Sequence, residues 1–111
     1  MKIYHPKLAN GRWKKLAFAE QMAHIGSEVI RALNWQSKNS KISLLAMERA
    51  MELIDLTLAS ESSASRLKEL CRTRETLVDY YYGKNLYSST KDAFDRYFYQ
   101  FTYLAQLKRE N

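Results

Sequence analysis

At 111 residues and a net charge of +6, the chain is one domain's length, large enough to bury roughly two-thirds of its unfolded surface. Three glycines and one proline are few for a loop-rich fold. A single cysteine, Cys71, excludes an internal disulfide. No apolar run reaches the roughly 20 residues needed to span a bilayer, so no membrane contact is expected. The apolar-poor N-terminus does not read as a secretory signal, and a cytoplasmic location is expected. The cationic excess favours an anionic partner, of which nucleic acid is the commonest.

Residues 1–15 carry Lys2, Lys7, Arg12, Lys14 and Lys15 and no acid. Pro6 and Gly11 oppose a helix, so this stretch reads as a short irregular basic arm, with the bundle following over residues 16–111. Cations in such an arm contact phosphates, because each neutralised phosphate releases counterions. Trp13 either stacks on a base or docks on the helices, and docking is the expected role.

A first helix is predicted from about Ala17 to Gln36, with Phe18, Met22, Ile25, Val29 and Leu33 as its core stripe. Gly26, near that stripe, allows another backbone to approach. Ser40 is the expected N-cap of a second helix ending near Ala59. In that helix Leu44, Met47, Met51, Ile54 and Leu58 step by three and four residues along one side. Ile42, Leu45, Leu53 and Leu56 form a second stripe roughly opposite. A helix apolar on two sides needs partners on two sides.

A third helix is predicted from Ala64 to Tyr82, capped by Ser62 or Ser63 and stopped at Gly83. Its expected core stripe is Leu67, Leu70, Cys71, Leu77, Val78 and Tyr81. Arg74 falls within that stripe, where an unpaired guanidinium would cost several kcal/mol. A buried ion pair is therefore expected, with Asp55, Glu28 or Asp79 as its carboxylate. A fourth helix follows Ser89 and Asp92, a variant capping box, and lines its core side with Phe94, Phe98, Phe101 and Ala105. Four helices of about 17–20 residues, roughly 25–30 Å each, predict an all-α, antiparallel up-down four-helix bundle.

Tyrosines concentrate between Tyr80 and Tyr103. On the fourth helix Arg96, Tyr99, Tyr103 and Leu107 share the side away from the phenylalanines. Tyr and Arg on an outer face are what protein interfaces favour, so these four are the expected oligomer interface, in a closed homo-oligomer. The candidate nucleic-acid-binding residues are Lys7, Arg12, Lys14, Lys15, Arg66, Lys68, Arg72, Lys108 and Arg109. In an antiparallel bundle the arm, the turn between the second and third helices and the C-terminus can share one end or edge. The contacts expected of them are to phosphate and shape rather than to base edges.

Catalytic signatures are missing. There is no HExxH, no Glu-x-x-His of a di-iron bundle, no glycine-rich phosphate loop, and no closely spaced Arg–His pair of the HEPN ribonuclease type. No enzyme activity, cofactor or metal is expected. In length, helix order and charge, and in phrases such as FAEQMAHIGSEVIRALNW and RLKELCRTRETLVDYYYG, the chain resembles the accessory variability determinants of diversity-generating retroelements. It is also similar to the bundle proteins encoded in intervening sequences of bacterial ribosomal RNA genes. The resemblance implies a pentameric barrel whose basic surface binds RNA or DNA and docks a reverse transcriptase. The aromatic-rich fourth helix and the basic arm depart from that pattern. The function expected is a non-enzymatic, oligomeric nucleic-acid-binding accessory protein, RNA ahead of DNA. The alternative is a helical protein-interaction module that binds no nucleic acid.

Overall fold

The computed structural model describes residues 11–110, with side chains for residues 11–108. A 3-10 turn, Trp13–Lys15, leads into four helices: α1 Phe18–Trp35, α2 Ser40–Ser60, α3 Ala64–Tyr81 and α4 Lys91–Glu110. Among the described residues there is no strand, and the fold is all-α. Helix α1 packs against both α2 and α4, and α2 packs against α3.

The helix ends are set by short polar side chains. Glu20 Oε1 accepts from the Ala17 N–H at 3.2 Å, and Ser63 Oγ accepts from Arg66 N–H. Two caps differ from the sequence expectation. Asn39, not Ser40, caps α2, its Oδ1 accepting from Lys41 and Ile42 N–H. Thr90, not Ser89, serves α4, its hydroxyl accepting from Ala93 N–H at 3.1 Å. Ser89 is taken by Asn85, which exchanges side-chain bonds with the Ser89 N–H and carbonyl. Asp79 then holds the α3–α4 loop by accepting from Leu86 and Tyr87 N–H. Gly83 does follow the α3 terminus, and its N–H returns to the Val78 carbonyl.

Of the expected α1 stripe, Met22, Ile25, Val29 and Leu33 are buried and Phe18 is partly buried against the core. On α4 the expected Phe94, Phe98, Phe101 and Ala105 are all buried. Helix α2 buries the face between its two expected stripes, roughly 80° round from the one that runs from Leu44 to Leu58. Its buried face is Ser43, Ala46, Met47, Ala50, Leu53, Ile54 and Thr57. Small residues on that face let α1 and α2 approach closely. Leu44 and Leu45 are consequently 42% exposed.

Helix α3 is turned in the same way. Leu70, Thr73 and Leu77 are buried, whereas Cys71 is exposed. The buried hydroxyls carry their own partners. Thr57 donates to the Leu53 carbonyl and Ser43 to the Ala32 carbonyl, while Thr73 Oγ1 bonds the Glu69 carbonyl. Because each hydroxyl is satisfied, its burial costs little.

Trp13 closes the α1 N-terminal end of this core. It is 2% exposed, its Nε1–H donates to Thr57 Oγ1 at 2.8 Å, and its carbonyl accepts from Gln21 Nε2 at 3.0 Å. The basic segment is thus a folded turn from Trp13 onward and not an irregular arm throughout. The expectations for residues 1–10 lie outside the described residues.

Candidate nucleic-acid interface

The antiparallel topology places the start of α1, the end of α2, the start of α3 and the end of α4 at one end of the molecule. Ring and cation contacts tie these parts together. Phe18 meets Phe101 edge-on at 5.9 Å, and the Arg66 guanidinium lies 4.9 Å over the Phe18 ring. Exposed Arg12, Lys14 and Lys15 flank the anchored Trp13 at this same end, and exposed Lys108 comes from the last turns of α4. The cations there outnumber the acids, and two acids are already engaged. Glu20 caps α1, and Glu61 accepts from Arg66 at 3.4 Å. Lys7 and the Arg109 side chain lie outside the described residues.

Lys68 and Arg72 are exposed but stand apart from this cluster, on the flank of α3 that faces α4. One turn separates them, so both reach over the same patch. Beneath them Tyr97 donates its hydroxyl proton to Glu69 Oε2 at 2.8 Å and lies 3.0 Å from Thr73 Oγ1. Burial raises the Tyr97 pKa strongly. The neighbouring Thr73 hydroxyl works against that shift, and the Glu69 carboxylate adds to it. The folded state therefore holds this proton more tightly than the unfolded chain does. The associated stability is complete below the unfolded value of 10.0 and is lost as pH rises above it. Tyr97→Phe should remove that part of the alkaline decline. Urea midpoints of the wild type and the variant, compared at about pH 9 and about pH 11, measure it; an equal fall in both would contradict the assignment.

Arg74 does pair with Asp55, Nε donating to Oδ1 at 2.9 Å. The pair is not buried, because the rotation of α3 carries Arg74 to the helix flank. The two side chains are 41% and 57% exposed, and such a pair contributes roughly 0–1 kcal/mol. Glu28 takes no part in it; its Oε2 is buried without a hydrogen-bond partner among the described residues. Asp79 is occupied with the loop amides.

The outer face of α4 carries Arg96, Tyr99, Tyr103 and Leu107, all exposed. Tyr99 and Tyr103 stack, with ring centroids 6.4 Å apart and planes inclined by 23°. Tyr99 also borders an open groove of about 720 Å³ between α1 and α4, with Trp35 and Arg31 on its other side. Sequence periodicity did not disclose this groove or the α3–α4 seam, since both depend on how the helices are spaced.

Among the described residues no cluster of three or more His, Cys, Asp or Glu could hold a metal ion, and no helix is long and apolar enough to cross a membrane. Comparison of the chain with protein-family models, with curated proteins and with solved structures yields no match.

Proposed function

We propose that this chain is a non-enzymatic nucleic-acid-binding accessory protein, acting on RNA ahead of DNA, as a homo-oligomer beside a polymerase-type enzyme such as a reverse transcriptase. The observation that carries the reading is the gathering of Arg12, Lys14, Lys15, Arg66 and Lys108 at one end of the bundle, where Glu20 and Glu61 are already engaged. Trp13 pins the arm cations to the body, so they meet a phosphate backbone without first being ordered. Copies assembled through the α4 face would multiply the patch and raise affinity by multivalency.

Five phosphate contacts predict that log K falls with log salt at a slope of roughly −3.5 on a single strand and −4.5 on a duplex. The triple charge reversal Arg12→Glu, Lys14→Glu and Lys15→Glu should make that slope shallower by roughly 2.1 on a single strand and roughly 2.7 on a duplex and weaken binding at low salt. Fluorescence anisotropy with a labelled RNA and a labelled DNA across a salt series measures both. No binding of either at low salt would end the proposal.

A second reading, a protein-interaction module without nucleic-acid binding, is favoured by one observation, the exposed Tyr99–Tyr103 stack with Leu107 beside it. The same triple reversal separates the two. It weakens nucleic-acid binding in the first reading and leaves the partner surface intact in the second.

A further inference from the structure

The seam between α3 and α4 is built differently from the other helix contacts. Among helices joined in sequence, these two backbones approach each other least closely. Small residues bring α1 against α2, and Gly26 brings α1 against α4. Helices α3 and α4 instead meet through large side chains, Tyr80 against Phe94 with centroids 5.2 Å apart, and Tyr97 against Thr73. The seam is left open as two adjoining chambers, of about 290 Å³ and about 210 Å³, that share Arg72, Thr73 and Tyr97.

The chambers differ in chemistry. The first is walled by Ser65, Lys68 and Arg72. Neither cation has an ion-pair partner among the described residues. A carboxylate, Glu69, also faces this chamber and accepts a hydrogen bond from the Tyr97 hydroxyl; with Lys68 and Arg72 it leaves the chamber one positive charge in excess. The second chamber is lined by Thr76, Ala93 and Phe94 beside the Tyr97 ring, with the Ser89 turn at its end. The chambers adjoin and share Arg72, Thr73 and Tyr97, and together they reach the size of a small-molecule pocket, so one ligand can occupy both. It must carry an anion at one end, for the two cations one turn apart, and a flat apolar-faced group at the other, for the Tyr97 ring, with the buried Phe94 edge as the floor.

We propose that the α3–α4 seam binds one nucleotide unit, its phosphate between Lys68 and Arg72 and its base against Tyr97 and Ala93. This rests on the nucleic-acid reading and adds to it a second contact, distinct from the cationic end, that takes an unpaired base. Aromatic rings accept any base face, so sequence preference is weak. The nucleotide comes either free or as one residue of a single strand, and the test distinguishes the two.

The probes are uridine monophosphate, inorganic phosphate and a labelled ten-residue oligouridine. Amide resonances of the full chain are followed by NMR, and oligouridine affinity by anisotropy. A seam site shifts amides around residues 72–76 and 93–97 on addition of a uridine ligand, with inorganic phosphate at least about tenfold weaker because it lacks the base. Shifts there with the monophosphate identify a free nucleotide; shifts there with oligouridine alone identify a strand residue. Lys68→Ala with Arg72→Ala should weaken whichever ligand shifts the seam at least about tenfold. Ala93→Trp, at an exposed position that tolerates bulk, should block the base chamber and spare phosphate. Oligouridine that binds with shifts confined to residues 12–15 overturns the seam and leaves the cationic-end reading standing. Seam shifts that persist while oligouridine binding no longer depends on the arm overturn the cationic end instead. Equal binding of phosphate and uridine monophosphate reduces the seam to an anion site and refutes the nucleotide assignment.

Discussion

Trp13→Ala should lower stability by about 3–5 kcal/mol, a large share of the roughly 5–15 kcal/mol available to a domain of this size. The indole is 2% exposed and fills the end of the core between α1 and α2. Its removal forfeits the transfer energy of the largest side chain and leaves a void that the helices, held by close small-residue contacts, cannot collapse to fill. Trp13→Phe separates packing from hydrogen bonding. Thr57 Oγ1 loses the indole N–H but still donates to the Leu53 carbonyl. No buried donor is then orphaned, and the cost should stay near 1 kcal/mol for the lost bond, plus the smaller ring. Urea denaturation of the three proteins gives the comparison. A Trp13→Ala loss below about 1 kcal/mol would mean that the segment rests on the bundle without closing it. Arg12, Lys14 and Lys15 would then be no better fixed than cations on a loose tail. Anchoring and electrostatic presentation are thus one question at this end of the molecule.

Helix number and order were legible because apolar periodicity and end signals agree over long segments. On α1 and α4 the stripe also gave the correct face, since large apolar residues occupy it and polar ones do not. On α2 and α3 the stripes were right only in part: Met47, Leu53, Ile54, Leu70 and Leu77 are buried as expected, whereas Leu44, Leu45 and Cys71 are exposed. The interior of α2 is made of Ser43, Ala46, Ala50 and Thr57 between larger residues, and that of α3 includes Thr73. Size and hydropathy rank these low, yet small side chains permit close backbones, and each hydroxyl bonds a helix carbonyl. The usable signal was spacing: positions 43, 46, 50, 53 and 57 repeat by three and four as regularly as the leucines do. Arg74 was misplaced by the same rotation, and Cys71 with it. Antiparallel order places Arg12, Lys14, Lys15, Arg66 and Lys108 at one end, but Lys68 and Arg72, grouped with them in the sequence, stand on the α3 flank instead. The α3–α4 seam could not, because its width is set by which aromatic rings meet across it.

The unequal spacing of the seams turns on Gly26. A Cβ at that position would lie 2.7 Å from the Phe98 Cβ and 2.8 Å from its Cγ. The Phe98 Cβ is one bond from its own backbone, so no rotamer change moves it, and relief requires α4 to shift. Two effects of opposite sign then compete. Replacing glycine inside a helix with alanine gains about 0.8–1.0 kcal/mol of propensity, whereas forcing an extra group into a packed seam costs about 1–3 kcal/mol. Gly26→Ala should therefore be mildly destabilising, by about 0–2 kcal/mol. Gly26→Val adds two methyls to the same contact, and its β-branch returns part of the propensity gain. Its loss should reach about 3 kcal/mol or more, with the aromatic near-ultraviolet signal of Phe98 and its neighbours altered. Thermal or urea denaturation of both variants decides the order. If valine were tolerated as well as alanine, α1 and α4 would not be held at this distance by glycine. The contrast that leaves α3 and α4 apart would then need another cause, such as the bulk of Tyr80 and Tyr97 alone.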